Sequence, residues 1–362
     1  MSFSCGFVGL PNVGKSTLFN VVMKKVIAEA SNYAFCTISP NKGQIAIYDE
    51  RLDRVANIEK SQKIIYPTLT CIDIAGLIEG ASEGKGQGNS FLGCIREVDL
   101  IMHVVRCFDD DNVMHVENSI DPVRDVQLIE MELMLADTDI LKKMLERRKS
   151  KLDSKEQLLA EKALGFLEKE LYLSSCDFNT DERLWLKQKG MITILPKLYV
   201  ANMREDEIVM GNAHLEKLKQ AFPHDIIINI SAKLEESFLT LNEQDRSQMY
   251  DMYDLKETGL NLVLKTGYNM LGLLTFFTVG PKEARGWSII KGATAPQAAG
   301  KIHTDFEKGF ICAEVVAYDD FVQYNGHQEC KILGKIRQEG RKYIMNDADI
   351  CYFKHNVDKS KK

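Results

Sequence analysis

The chain has 362 residues, 45% hydrophobic and 27% charged, with a formal net charge of -6 and a sequence pI of about 5.8. That length predicts two or three folding units, and the acidic balance excludes indiscriminate nucleic-acid binding by the whole surface, though not by a local basic patch. The 9 cysteines are odd in number, scattered and without a Cys-x-x-Cys, which excludes a disulfide framework or a zinc site and fits reduced thiols in a cytosol. The start, "MSFSCGFVG", has no basic n-region, and the longest apolar stretch, "YNMLGLLTFFTVG" (268–280), is too short to span a bilayer. A cytoplasmic protein is expected.

In chain order, "FSCGFVGL" (3–10) is an apolar run broken by Gly and suits a buried strand. "GQIAIYD" (43–49), "YPTLTCIDIAG" (66–76) and "DLIMHVVRCF" (99–108) predict three more strands, and "KLYVAN" (197–202) and "DIIINISA" (225–232) a fifth and sixth. Several are near-continuous apolar runs, the pattern of a parallel sheet covered on both faces. Between the fourth and fifth strands, residues 121–190 carry helical spacing and many charges. Asp121 caps Pro122 at the start, and "KLDSKE" (151–156) supplies a turn, so two long antiparallel helices are expected as an insertion. Near its tip, "KKMLERRKSK" (142–151) holds six basic residues and one acid, either a solvated face or a contact for RNA or another acidic partner. After Gly280-Pro281 the chain breaks into short strand-like runs, "TFFTVG", "ARGWSIIKGAT", "FICAEVVAY", "CKILGKIRQEG" and "ADICYFKHN", with a helix-like piece at 295–309. The expected organisation is a nucleotide-binding α/β domain from 1–120 and 191–277, a helical hairpin at 121–190, and a small α+β domain at 278–362. From Thr278 on, 14 Lys plus Arg face 11 Asp plus Glu, so this last domain is mildly basic.

The chemistry sits in the turns after the strands. "GLPNVGKST" (9–17) fits G-x-x-x-x-G-K-[ST] between a strand and a helix, the context that motif requires. Gly9 and Gly14 allow backbone N–H groups to line an anion nest, with Asn12 and Val13 between them. Lys15 would reach the β- and γ-phosphates, Ser16 would offer its hydroxyl to Mg²⁺, and Thr17 would add a contact at the helix N-terminus. "CIDIAGL" (71–77) ends a strand in D-x-x-G: Asp73 would serve the metal and the Gly76 N–H the γ-phosphate. In "SNYAFCTISPN" (31–41), Thr37 is the candidate switch threonine that closes on Mg²⁺. "EGASEGKGQGNSFL" (79–92) is the segment expected to reorder with it. "SAK", that is Ser231, Ala232 and Lys233, stands where a base-contacting loop belongs.

The order of P-loop, Thr37, DIAGL, N-x-x-E and SAK resembles a translation-factor-class P-loop NTPase. "GLPNVGKSTLFN", "NYAFCTISPN", "DIAGLIEGASEGKGQGNSFL" and "HVVRCF" resemble the YchF family of Obg-like ATPases, and the likeness runs from Ser2 to the C-terminus. It implies a G-type domain with an inserted helical hairpin and a C-terminal TGS-like β-grasp domain. It also implies ATP hydrolysis, ribosome binding and links to oxidative-stress responses.

Which base is read turns on "NMRE" (202–205). A guanine reader has Asn-Lys-x-Asp; here Lys is Met203 and Asp is Glu205. The longer Glu205 carboxylate would overshoot or fold aside, and each unmatched guanine donor costs about 1–3 kcal/mol. Adenine has no donor there to lose. Asn202 would pair with its 6-amino group and N7, with Met203 stacking on the ring. The family carries the same N-x-x-E and prefers ATP, so ATP over GTP is expected. Catalysis shows a second departure. Leu77 stands where a Ras-like enzyme has the Gln that orients water, so slow turnover is expected unless another group substitutes. The loop "DDDNVMHVENS" (109–119) offers His115, read as mobile and able to reach in. Asn12 is the candidate for a K⁺ ion beside the phosphates. The main reading is a monomeric Mg²⁺-dependent ATPase switch that binds the ribosome. The alternatives are an Obg-like GTPase, an RNA- or ribosome-binding module that holds nucleotide as a structural ligand, and a small-molecule kinase, for which no acceptor-site signature is visible.

Overall fold

The computed structural model describes residues 3–30, 41–74, 87–110, 113–115, 119–146 and 152–356. The elements run β1 (Ser4–Val8), α1 (Lys15–Ala30), β2 (Lys42–Ala46), α2 (Glu50–Glu59), β3 (Ile64–Ile65), β4 (Thr68–Asp73), α3 (Gln87–Arg96), β5 (Leu100–Arg106), α4 (Pro122–Glu146), α5 (Ser154–Leu167), α6 (Thr180–Gln188), β6 (Lys197–Asn202), α7 (Ala213–Ala221), β7 (Ile227–Ile230), α8 (Ala232–Phe238), α9 (Glu243–Met252) and α10 (Gly259–Met270). There follow β8 (Leu273–Val279), β9 (Ala284–Ile290), α11 (Ala295–Ile302), α12 (Thr304–Lys308), β10 (Phe310–Val316), α13 (Tyr318–Gln323), α14 (His327–Ile332), β11 (Arg337–Glu339) and β12 (Ile350–His355).

The chain divides into two compact units: 1–45 with 70–263, and 46–69 with 264–362. The first is built on a six-stranded sheet in the order β2-β4-β1-β5-β6-β7. β1 runs parallel to both β4 and β5, β5 to β6, and β6 to β7. Every residue of β1 and β5 is buried, as expected of parallel strands that crossover helices cover on both sides. Register decides function here. Phe7 pairs with Asp73, Arg106 with Asn202, and Asn202 with Ile230, so β1, β4, β6 and β7 end at one carboxyl edge of the sheet. That edge, where connections diverge to either side of β1, is the ligand-binding edge of open α/β sheets.

The insertion differs from two equal long arms. α4 spans 25 residues, but α5 ends after 14, and a third helix, α6, follows. Leu141 of α4, Ala160, Ala163 and Leu167 of α5, and Leu186 of α6 share one buried cluster. Asp153 and Glu156 form a reciprocal capping box that starts α5. Asp137 of α4 secures the return of the chain. Its buried carboxylate accepts from Ile192 N (2.9 Å), Thr193 N and Thr193 Oγ1 (both 2.7 Å). Burial pushes that carboxyl up to about 6 despite those bonds. Residues 147–151 of the basic tip lie outside the described residues.

The second unit is a mixed sheet, β11-β10-β12-β8-β9-β3. β8 and β9 pair antiparallel, as do β10 and β12, while β12 meets β8 in parallel. Ala295, Ala298 and Ala299 of α11 press on Phe276, Ile289 and Phe310. Two local expectations change. "CKIL" begins no strand; it closes α14, and only Arg337–Glu339 pairs as β11. The second unit also differs in extent from the expected 278–362, because it begins at Leu264 and takes in 46–69. Leu52, Val55 and Ala56 of α2 bury with Phe277, Val279, Phe321 and Ile350, and β3 pairs with β9. Apolar burial therefore recruits a segment that chain order assigned to the nucleotide domain.

Candidate nucleotide-binding site

The P-loop joins β1 to α1 through two close approaches. A Cβ on Gly9 would stand 2.6 Å from Val104 O. Gly14 has φ +94°, and a Cβ there would collide with Asn202 Nδ2. Asn12 also takes the left-handed region, at φ 61°. This path leaves the N–H groups of the first turn of α1 without helical partners, which makes the turn an anion cradle. Lys15, the first residue of α1, is buried and bonds the Asp73 carboxylate at the end of β4. Ser16 is exposed beside it and Thr17 half-buried. Lys15 of the P-loop and Asp73 of the D-x-x-G strand therefore meet at one point. The oxygens of Ser16 and Asp73 are hard donors of the kind Mg²⁺ takes, with water and phosphate completing its shell. Thr37, Gly76 and Leu77 lie outside the described residues.

The corner expected to read the base centres on Asn202, which is 5% exposed. Its Nδ2 donates to Val13 O (2.9 Å), and its Oδ1 accepts from Ala232 N (3.0 Å). One side chain thus ties the P-loop to the SAK loop. Ser231 caps α8 through Leu234 N at 3.3 Å. Glu205 follows in a short 3₁₀ turn, and its carboxylate meets Lys233 Nζ at 3.3 Å. Met203 is a correction. Its side chain is 2% exposed and packs with Val105, Cys107, Tyr199 and Leu215, so it has no face on which a base could stack. An apolar residue at the end of a buried strand satisfies the core before it serves a ligand.

His115 also departs from expectation. It is 8% exposed, and Nε2 lies 2.9 Å from Asp125 Oδ2 in the first turn of α4. The described residues before it are fastened rather than loose. Arg106, fully buried at the end of β5, donates to Phe108 O (3.1 Å), Asp110 O (3.1 Å) and Val113 O (2.9 Å). Asn12 Nδ2 of the P-loop donates to Met114 O at 3.1 Å. Arg106 and Asp125 were not anticipated. The sequence signal for Arg106 was a cation inside an otherwise apolar strand, "DLIMHVVRCF", where an unpaired charge would be costly. For Asp125 there was no signal beyond an acid in a first helical turn.

Comparison with known proteins follows this geometry. Residues 4–149 match the family model of 50S ribosome-binding GTPases. Residues 273–356 match the C-terminal domain of YchF-type GTPases, which is described as a protein of unknown function. The ribosome-binding ATPase YchF of Escherichia coli O157:H7 is 44% identical over 365 residues, covering 99% of this chain and 100% of its own length. That of Bacillus subtilis (strain 168) is 40% identical over 367 residues with the same coverage. The solved structure of the Schizosaccharomyces pombe YchF GTPase superposes with a TM-score of 0.88 at 36% identity, covering 98% of both chains. With a P-loop, an Asp73 strand end and an Asn202 clamp in one sheet edge, and with relatives matched end to end, the chain belongs to the YchF family.

Proposed function

We propose that this protein is a Mg²⁺-dependent ATPase that prefers ATP to GTP and works as a nucleotide-dependent switch on the ribosome. The observation that carries the base preference is the Asn202–Glu205 corner. Asn202 Nδ2 uses one hydrogen on Val13 O, which leaves the second for the N7 of a purine; Oδ1 accepts from Ala232 N and keeps a lone pair for a 6-amino donor. The Glu205 carboxylate is drawn toward Lys233, so a guanine N1–H and 2-amino group would go unmatched, at about 1–3 kcal/mol each. Calorimetric titration with non-hydrolysable ATP and GTP analogues tests this. ATP binding at least about tenfold tighter supports the reading. A GTP preference would overturn it.

In the mechanism, Lys15 exchanges Asp73 for the β- and γ-phosphate oxygens, and the first-turn N–H groups of α1 hold the rest of the triphosphate. Bound Mg²⁺ would supply charge neutralisation at the phosphates, held by Ser16, Asp73 and Thr37. The Gly76 N–H would serve the γ-phosphate, as the D-x-x-G motif implies. Leu77 cannot orient water, so His115 takes that role and turnover is slow without an activator. Asn12 is the residue for K⁺ dependence, and rates compared in K⁺ and Na⁺ test it. Relatives that align end to end carry the name of ribosome-binding ATPase. Co-sedimentation with ribosomes should therefore depend on whether the ATP analogue or ADP is bound. Binding indifferent to nucleotide would favour the second reading, a module with nucleotide as structural ligand, which Leu77 keeps open. Action as a monomer in the cytoplasm completes the proposal; among the described residues no helix is long and apolar enough to cross a membrane.

A further inference from the structure

We infer that Asn212 is a positioning residue for base selection: through its amide nitrogen it fixes the turn that aims Glu205 away from a guanine edge. The inference rests on the proposed preference for ATP and names what maintains it. Glu205 opens a 3₁₀ turn, Glu205–Glu207, and its carboxylate meets Lys233 Nζ at 3.3 Å. That ion pair is weak by itself, because the lysine lies open to solvent and water competes for both charges. The aim of the carboxylate therefore comes from the backbone beneath it.

The turn bridges two buried residues, Met203 and Ile208, which share one apolar cluster with Cys107 and Leu215. Within the bridge, Glu207 Oε2 accepts from Arg204 N at 3.4 Å, and Gly211 N donates to Glu207 O at 2.8 Å. The same Oε2 accepts from Asn212 Nδ2 at 2.9 Å. Nδ2 also donates to Cys107 O at 2.6 Å, just beyond β5. Cys107 N in turn donates to Asn202 O at 2.8 Å. A path of hydrogen bonds thus runs from Asn202, the residue proposed to meet the purine, through Cys107 and Asn212 to the turn that carries Glu205.

The two ends of the Asn212 amide have different duties, and their partners fix which is which. Leu215 N can only donate, so Oδ1 faces it at 2.9 Å and caps α7. Cys107 O can only accept, so the nitrogen faces that side, with one hydrogen for Cys107 and one for Glu207. Capping α7 asks only for an oxygen, which Ser or Asp supplies about as well. Tying the turn to the end of β5 asks for two donated hydrogens at that reach, which neither supplies. Without them the turn keeps its buried ends, the far one held where Asn229 Nδ2 donates to Ile208 O at 3.1 Å, and gains freedom between them. Glu205 then leaves Lys233 to follow a guanine N1–H and 2-amino group.

The test titrates the full chain with non-hydrolysable ATP and GTP analogues, as wild type, Asn212→Asp and Asn212→Ser. Asn212→Asp keeps the shape and the cap but sets a carboxylate against Cys107 O and Glu207. Asn212→Ser keeps the cap without adding a charge, and it carries the test if the Asp variant does not fold. In either variant the ratio of ATP to GTP affinity should fall by about threefold or more, mainly because GTP binds more tightly. A cap with no part in selection would lower stability and weaken both nucleotides alike. The ratio would then stay at its wild-type value, and that result overturns the inference. Asn212→Ala loses the cap as well. It should unfold at lower denaturant than Asn212→Ser yet show the same lowered ratio. A ratio that tracks stability across the variants also overturns the inference. Failure of the base preference itself looks different: the wild type would show no preference for ATP. A wild type that prefers ATP, beside variants that prefer it equally, removes only the role of Asn212.

Discussion

The two ends of the nucleotide site are built differently. At the base end, Asn202, Val13 and Ala232 are joined by two short hydrogen bonds inside the core, so the pocket and the fold are held by the same atoms. At the phosphate end, Lys15 and Asp73 satisfy one another as a cation and an anion, each of which can be handed to a ligand. The base end is structural before it is functional. The phosphate end is poised to exchange partners. Substitutions should therefore cost fold stability at one end and ligand affinity at the other.

The harshest test strikes both ends together. Gly14→Val adds a side chain at φ +94° that collides with Asn202 Nδ2. Strain and overpacking together should cost about 3 kcal/mol or more, and titration should detect no nucleotide binding. Next, Asn202→Ala orphans Val13 O and the Ala232 N–H. Denaturant unfolding should show a loss of about 2–4 kcal/mol before any ligand is added. A variant of wild-type stability would mean that the two loops do not need their tie. Lys15→Met sharpens the contrast from the other side. Triphosphate affinity should fall about a hundredfold or more, while stability changes by no more than about 1 kcal/mol, since Asp73 is partly exposed and can be hydrated.

A fourth prediction concerns pH. Glu235 follows the SAK loop on α8, and burial pushes its carboxyl up to about 7, against bonds from the Leu260 and Gly259 N–H groups. A carboxyl raised in the folded state favours the neutral form there. Its contribution is complete below the unfolded value near 4.5 and is lost as pH rises through about 7. Between pH 5 and 7.5 the wild type should lose about 2 kcal/mol relative to Glu235→Gln. Parallel stability curves would contradict the assignment. The smallest effect belongs to Lys233→Ala. The pair with Glu205 is exposed, 80% on the lysine side, so stability should move by less than about 1 kcal/mol. The informative readout is a drift of the ATP-to-GTP affinity ratio toward GTP as Glu205 is released.

Much of the molecule was legible in one dimension, and the reason is locality. Strand, glycine turn and helix lie within Ser4–Ala30, so "GLPNVGKST" carries its own structural context. Six predicted strands became the six strands of the first sheet because their apolar runs leave few other places to go. The turn expected within "KLDSKE" is where Asp153 and Glu156 form the capping box that starts α5, a signal equally local.

What only the tertiary structure decided are matters of side-chain direction and long-range burial. Residues 46–69 joined the C-terminal unit because Leu52, Val55 and Ala56 find their apolar partners there, more than 200 positions away in Phe277 and beyond. Met203 turned inward because the strand end buries it, although a motif alignment places it at the base. His115 looked like a loop residue. Asp125 faces its ring and Arg106 holds Val113 nearby, through bonds whose donors and acceptors are set by where β5 and α4 pack. A sequence states which residues carry chemistry when spacing along the chain is enough to place them. It falls silent when the placement depends on which surface another element covers, since burial energy is collected from the whole fold at once.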